Sequence, residues 1–215
     1  MSFTLATLKS AIQDYTQNDE TNFVSNLNLF IRLAEEKIFK AAQLNYFRKN
    51  TSGSTTSGNK YLACPSDFIA PYALSLTNSS SEEFLLFKDS DYIQTYTPNP
   101  ATTGVPKYYA QFDVDNFILA PTPNANFTIS LSYFYRPNSL TAGSDSGTTW
   151  ISQNAEVALL YGSLVEAYTY MKGEQDILSL YNNKFNEALI TVKKLGESTE
   201  VSDNYRAGQI IREKT

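Results

Sequence analysis

Residues 150–189, WISQNAEVALLYGSLVEAYTYMKGEQDILSLYNNKFNEAL, predict two consecutive helices with a very short connection. We expect Ser152 to be the N-cap of the first helix, whose apolar residues recur at helical spacing. These residues are Val157, Leu160, Leu164, Tyr168 and Met171. Gly173 interrupts the pattern, and a second helix is expected to begin near Glu174 and to end at Gly196. Its apolar residues are Ile177, Tyr181, Phe185, Ala188, Val192 and Leu195. Two helices joined so closely must run antiparallel.

Two more helices are predicted at the other end of the chain. The first follows a Ser/Thr-rich start and carries Leu5, Leu8, Ile12 and Tyr15 at helical spacing. The second is expected to end near Leu44. Its apolar residues are Phe23, Leu27, Phe30, Ile31, Ala34 and Ile38. Glu35 and Glu36 are expected on its solvated side.

Between these helical blocks the sequence indicates strands and turns. Residues 46–50 and 60–64 flank the polar segment TSGSTTSG, so we expect them to form a hairpin around it. Two further strand pairs are predicted, 72–77 with 82–88 and 107–112 with 116–120.

The clearest strand covers residues 127–136. One face carries Phe127, Ile129, Leu131, Tyr133 and Tyr135. The opposite face carries Thr128, Ser130 and Ser132 because side chains alternate along a strand. Phe134 interrupts that polar face, and we interpret it as a contact point.

These patterns predict an α+β protein. An antiparallel helical bundle formed by the N- and C-terminal helices would carry an antiparallel, β-rich insertion. The expected segments are N-terminal helices in 1–45, the insertion in 46–150, a helical hairpin in 151–196 and an extended arm in 197–215.

Composition narrows the function classes. The net charge is −5 and the pI is about 4.8, so we expect no tight non-specific nucleic-acid binding. The 15 Tyr and 13 Phe suit protein–protein contacts, but they are also favoured in strands, and both readings stay open. The opening residues lack a basic segment followed by an apolar run, so we expect no secretory signal and assembly in a cytoplasm.

The residue types needed for chemistry are scarce. The chain has no histidine, which removes the commonest general base and the His-containing triads. We expect Cys64 to be an inert thiol within a hydrophobic strand. The carboxylate pairs Glu35-Glu36, Glu82-Glu83 and Asp113/Asp115 are expected on solvated faces or in turns, and no phosphate-binding glycine motif occurs. The sequence therefore predicts no enzyme, no cofactor and no metal site.

Three stretches carry a resemblance to a known family. They are NFVSNLNLFIRLAEEKIFKA at 22–41, CPSDFIAPYALSL at 64–76 with PKYYAQFDVDNFILAPTPNANFTISLSYFYRPNSLT at 106–141, and the hairpin at 150–189. In their order and hydrophobic pattern the chain resembles the head-to-tail, or portal, adaptor proteins of short-tailed bacteriophages, the tail tubular protein A-like family.

The resemblance implies a structural virion protein of the phage neck that forms a homo-oligomeric, twelvefold ring below the portal protein. It implies that the β part faces the tail nozzle protein and the tail fibres, with Phe134 as a tail-side contact, and that DNA passes through without specific binding. The arm at 197–215 would dock on the portal. Its proposed docking residues are Tyr205, Arg206, Ile210, Ile211 and Arg212.

Two alternatives remain open. A neck or connector ring of a long-tailed phage would share a helical core with an insertion. A glycan- or cell-surface-binding β module with helical ends would also be rich in Tyr-bearing strands.

Overall fold

The structure, a computed structural model, describes residues 2–41, 47–99 and 101–199 of the 215-residue chain. The chain divides into two compact units, one within residues 1–43 and 138–215 and the other within 44–137. Helices make up the first unit, and strands make up most of the second. The predicted α+β class is therefore confirmed.

The helices are α1 (Leu5–Thr16), α2 (Thr21–Ala41), α3 (Ser90–Tyr96), α4 (Trp150–Asn154), α5 (Glu156–Met171) and α6 (Gln175–Thr199). The strands are β1 (Arg48–Ser54), β2 (Tyr61–Ala63), β3 (Phe68–Asn78), β4 (Ser81–Phe84), β5 (Leu86–Phe87), β6 (Thr103–Gly104), β7 (Tyr108–Gln111), β8 (Asn116–Ala120), β9 (Thr122–Pro123) and β10 (Thr128–Tyr135). A 3-10 turn, Leu140–Ala142, precedes α4. Helix α6 continues past Gly196, where we expected it to end.

Helix α5 is the centre of the helical unit and packs against α1, α2 and α6. Because it has three helical neighbours, it buries more than one stripe. The predicted stripe was therefore partly wrong: Leu164 is buried, but Val157 is exposed and Leu160, Tyr168 and Met171 are only half-buried. The buried positions include the small residues Ala158, Gly162, Ser163 and Ala167.

Gly162 sits where three helices meet. A Cβ atom there would lie 2.8 Å from Cε2 of Phe185 on α6 and 3.0 Å from Cβ of Ala34 on α2. Both distances are shorter than ordinary carbon–carbon contact, so glycine permits the close approach of these helices.

The N-cap prediction at Ser152 was wrong. Thr149 caps α4, and its Oγ1 accepts the Ser152 N–H at 3.3 Å while Ser152 Oγ accepts the Thr149 N–H at 2.9 Å. This capping box starts the helix one turn earlier than expected. At Ala155 the helix is interrupted, and α5 then starts at Glu156.

The apolar stripe of α2 was predicted correctly, since all six of its residues are buried. The solvated position expected for Glu35 was wrong. Its side chain is only 6 % exposed, and its carboxylate accepts the Leu140 N–H at 2.9 Å and a short hydrogen bond from the Ser139 hydroxyl. The returning chain places the 3-10 turn against α2, and Glu35 supplies acceptors for its donors.

The β unit contains two four-stranded sheets and a two-stranded sheet of β6 and β9. The first has the order β1-β10-β3-β4 and is antiparallel throughout. The second has the order β2-β8-β7-β5, with β5 parallel to β7. The predicted pair β7–β8 is confirmed. The predicted pairing of 72–77 with 82–88 is confirmed only as far as Phe84, because Leu86–Phe87 forms β5 in the second sheet.

The hairpin predicted around TSGSTTSG was wrong. Residues 51–54 of the expected loop extend β1 along β10, whereas β2 pairs with β8 in the other sheet. Local turn propensity is overridden here because β10 offers a full-length partner for β1.

The core of the β unit joins both sheets. It contains Leu62, Leu74, Leu76, Leu85, Tyr109, Phe117, Leu119, Phe127, Ile129, Leu131 and Tyr133. The face predicted for β10 is confirmed, with Tyr135 half-buried at its end. On the other face of β7 and β8, Ala110, Ile118 and Ala120 pack against Ile93 of α3. Strand β8 is thus covered on both faces.

Candidate interaction surfaces

The five residues predicted to dock on the portal, Tyr205, Arg206, Ile210, Ile211 and Arg212, lie outside the described residues. Phe134, the predicted tail-side contact, is half-buried on β10. Its ring meets the Tyr72 ring edge-on, with centroids 5.9 Å apart, and the Arg48 guanidinium lies 4.5 Å from the Tyr72 centroid. Tyr72 is more exposed than Phe134 and presents more of this aromatic row to solvent.

The most exposed apolar segment, which the sequence reasoning missed, is what we call the apolar edge, residues 84–87. Phe84, Leu86 and Phe87 are 68 %, 58 % and 52 % exposed, whereas Leu85 is buried in the core between the sheets. The segment passes from β4, an edge strand of the first sheet, to β5, an edge strand of the second. A run of large apolar side chains on strand edges is typical of protein–protein contacts.

A signal for this edge was present in the sequence. Four consecutive apolar residues in a strand cannot all face one core, because neighbouring side chains point to opposite faces. The run FLLF therefore places at least some large side chains outside the core.

A tyrosine cluster lies where α3 covers β7. The Tyr96 and Tyr108 centroids are 4.8 Å apart, those of Tyr92 and Tyr108 are 5.3 Å apart, and the Tyr92 and Tyr96 rings stack at 6.1 Å. Lys88 Nζ lies 5.3 Å from the Tyr92 centroid. Exposed tyrosines combine an apolar ring with a hydrated hydroxyl, as protein interfaces favour.

The helical unit also exposes apolar side chains. Leu29 and Leu33 lie one turn apart on α2, and Leu180 and Ile190 lie on α6. Because each of these helices buries other residues in the unit, Leu29 and Leu33 form an outward-facing apolar pair on α2, and Leu180 and Ile190 are separate exposed apolar positions on α6.

A depression of about 460 Å³ lies between α3 and the second sheet. Among its lining residues are Tyr61 and Phe112, whose ring centroids are 5.1 Å apart, together with Lys60, Gln94 and Thr97. Aromatic rings beside amide and ammonium groups are chemically suited to a polar, ring-shaped ligand.

The surroundings of Cys64 and Asp113 indicate structural roles for both side chains. Burial, followed by the charges of Asp113 and Asp115, raises the pKa of the Cys64 thiol to about 11, so the thiol is protonated at neutral pH. Asp113 has its pKa lowered by hydrogen bonds from the Asn116 side chain and the Asp115 N–H, and it closes the β7–β8 turn. Within the described residues, no group of three or more Cys, Asp or Glu side chains could hold a metal ion.

A helix that crosses a membrane must be long and apolar. No helix in the described part of the chain combines the length and the apolar character that crossing a bilayer needs.

Comparisons with known proteins point to one family. No curated protein matches the chain. The family model described as SU10 adaptor protein matches residues 3–210, nearly the whole chain and both units. By that match the chain belongs to the SU10 adaptor protein family, a family of structural adaptor proteins of bacteriophages.

Proposed function

We propose that this protein forms a ring, twelvefold in the complete particle, that joins the portal to the tail nozzle of a short-tailed phage. The family match over residues 3–210 is the observation that carries this proposal. The role is mechanical, like that of the tail tubular protein A-like adaptors, and it needs contact surfaces rather than a catalytic centre.

The distribution of exposed apolar residues supports a ring subunit. The helical unit offers Leu29 and Leu33 on one helix and Leu180 and Ile190 on another, while the β unit offers the apolar edge. A ring subunit must contact a neighbour on each side and a different partner at each end. Several separate apolar patches meet that requirement.

The C-terminal segment is the proposed portal-docking arm. Residues 197–199 continue α6, and the remainder, 200–215, lies outside the described residues. In that remainder Tyr205, Ile210 and Ile211 stand among polar residues, with Arg206 and Arg212 beside them. Such isolated apolar residues gain most by ordering on a partner.

A truncation tests the arm. We expect removal of 200–215 to leave the helix content and the melting temperature unchanged, because α6 and its packing are retained. Binding to purified portal rings, measured by biolayer interferometry and viewed by electron microscopy, should be lost. The matched control keeps the length and replaces only Tyr205, Ile210 and Ile211 by Ala. Undiminished portal affinity of both variants would contradict the arm assignment.

The proposed channel is weakly anionic, as the net charge of −5 suggests, so that DNA passes without adhering. We expect the assembled ring to show no DNA retention at physiological salt in a gel-shift assay. Tight binding of duplex DNA under those conditions would count against this part of the proposal.

Glycan binding is the second candidate function, and the depression lined by Tyr61, Phe112 and Gln94 is the observation that favours it. A glycan array with the native protein and with Tyr61→Ala tests it directly. Binding that the substitution abolishes would support a receptor-contacting role, and a blank array would leave the adaptor role alone.

A further inference from the structure

The two sides of the β unit differ in chemistry. Strands β4 and β5 are the edge strands on one side, and Leu85 joins them. Strands β1 and β2 are the edge strands on the other side. Each sheet therefore begins at the β1–β2 side and ends at the β4–β5 side.

The β1–β2 side contains an open groove of about 480 Å³ between its two strands. The groove is lined on the β1 side by Thr51 and Gly53, and the core residues Leu62, Ile129 and Leu131 also line it. On the opposite side, Phe84, Leu86 and Phe87 of the apolar edge are exposed to solvent. One side is thus a groove with an apolar floor, and the other carries exposed apolar side chains.

The charges of the two sides are complementary. Strand β4 carries Glu82 and Glu83, whereas β1 carries Arg48 and Lys49. Part of the β1 charge is used within the chain, because Lys49 Nζ lies 3.0 Å from an Asp67 oxygen. Among the described residues, the Arg48 guanidinium lies over the Tyr72 ring, an uncharged partner that leaves its positive charge available to an acidic neighbour.

We propose that the β4–β5 side of one copy docks on the β1–β2 side of the next copy, so that the first sheet continues from subunit to subunit. This inference rests on the proposed ring and names the surface that closes it. Two unlike sides in contact make a heterologous interface, which forms a ring when the rotation between successive copies closes.

Strand direction supports the pairing. Successive strands in the order β1-β10-β3-β4 alternate in direction, so β4 runs opposite to β1. A second copy in the same orientation therefore presents its β1 antiparallel to β4, and the alternation continues across the junction.

The faces of the two strands allow only every second register, and we choose among these by charge. On β4, Ser81 and Glu83 share the face that pairs with core-facing Leu76, and on β1, Lys49 and Thr51 share the face that pairs with Tyr133 and Leu131. The register with Ser81 opposite Thr51 aligns these faces and puts Glu83 opposite Lys49. On the other face it puts Phe84 opposite Arg48, with Glu82 one diagonal position away.

Disulfide trapping tests this register. In a Cys64→Ala background, we combine Ser81→Cys with Thr51→Cys, oxidise the portal-bound protein and separate it on a non-reducing gel. The expected result is a ladder in steps of one chain, 24.1 kDa, because each subunit links to two neighbours. The matched control pairs Ser81→Cys with Asn50→Cys, which points to the opposite strand face and should give no ladder.

The single-cysteine variants and electron microscopy distinguish failure of the docking proposal from failure of the ring proposal. A covalent dimer from Ser81→Cys alone would show like edges in contact and would overturn the proposal. Rings visible by electron microscopy without a ladder would overturn the docking but leave the ring function intact. Absence of any ring on the portal would overturn the ring function, and the docking would fall with it.

A charge exchange provides a second measurement. We expect Arg48→Glu to weaken assembly at least tenfold, measured by the concentration at which half the protein is in rings. Combining it with Glu82→Arg should recover most of the loss, since the pair is restored with its signs reversed. Circular dichroism of each variant establishes that it folds. A double variant as defective as the single one contradicts the proposed contact.

Discussion

Glu35 offers the sharpest test of how the helical unit is held together. Its carboxylate is buried on α2 and binds two donors of the returning chain, the Leu140 N–H and the Ser139 hydroxyl. Burial raises the pKa of Glu35, and the hydrogen bonds from Ser139 and Leu140 and the charge of Arg32 only partly oppose that shift. The site therefore needs the oxygen atoms more than it needs the charge.

Two substitutions separate these contributions. Glu35→Ala removes both acceptors and leaves the buried Leu140 N–H without its partner, which typically costs about 1–3 kcal/mol. Relief of the buried charge offsets part of this, so we expect a net loss of about 1–2 kcal/mol in the free energy of unfolding. Glu35→Gln keeps an oxygen that accepts the Leu140 N–H, and its amide N–H can donate to the Ser139 hydroxyl oxygen in place of the hydrogen bond that Ser139 now donates. We therefore expect a change of less than about 1 kcal/mol at neutral pH.

The raised pKa of Glu35 also predicts how the free energy of unfolding changes with pH. A carboxyl group whose pKa is higher in the folded than in the unfolded protein stabilises the fold fully below the unfolded pKa. That stability is lost as the pH rises through the folded pKa. The wild type should therefore lose stability relative to Glu35→Gln as the pH rises above 4.5, the ordinary pKa of a glutamate. Subtracting the two curves isolates Glu35 from the other titrating groups.

Urea denaturation followed by circular dichroism at several pH values is the assay. The reasoning is refuted if the wild type and Glu35→Gln show parallel pH profiles, or if Glu35→Ala is as stable as Glu35→Gln.

The remaining predictions concern packing and the thiol. Gly162→Ala should lower the free energy of unfolding by about 1–2 kcal/mol because the added methyl group meets Phe185 and Ala34, although alanine itself favours helix by about 1 kcal/mol. Gly143→Ala, whose Cβ would meet nothing nearer than 3.7 Å, is its control in a thermal melt. Cys64 should be alkylated by iodoacetamide at pH 7.5 at least tenfold more slowly in the native protein than in urea, because its pKa is about 11. Mass spectrometry measures that ratio, and equal rates would show that the thiol is not held as described.

Helical periodicity predicted α2 well and α5 poorly, for a physical reason. Helix α2 buries one stripe, so all six of its apolar positions at helical spacing are buried, with Glu35 beside them. Helix α5 is enclosed by three helices and buries Gly162 and Ser163, which no apolar stripe contains. Periodicity reports one contact face, and a central helix has several.

Strand pairing was predictable where the turn was short and local. The β3–β4 and β7–β8 pairs join neighbours in sequence. The partner of β1 is β10, about 80 residues later, as the pairing of Asn50 with Ser132 shows. A polar strand such as RKNTSGS carries no hydrophobic pattern that could identify a distant partner.

The interaction surfaces could be predicted only in part, because they combine residues that are distant in the sequence. An isolated aromatic residue on a polar face, Phe134, was visible in the sequence. Its neighbours Tyr72 and Arg48 come from β3 and β1, so the aromatic row exists only after the strands assemble. The apolar edge depends likewise on which strands lie at the ends of the two sheets.

The proposed junction explains why modest edges suffice for a ring. Phe84, Leu86 and Phe87 are each more than half exposed, and covering the exposed part of such side chains contributes about 1–2 kcal/mol each. A junction built on them is too weak to hold a pair of subunits firmly once the entropy of association is subtracted. A subunit inside a closed ring must break two junctions to leave, whereas a subunit at an open end breaks one. Closure therefore stabilises every subunit at once, and edges that are too weak to hold two free subunits together become sufficient in the ring.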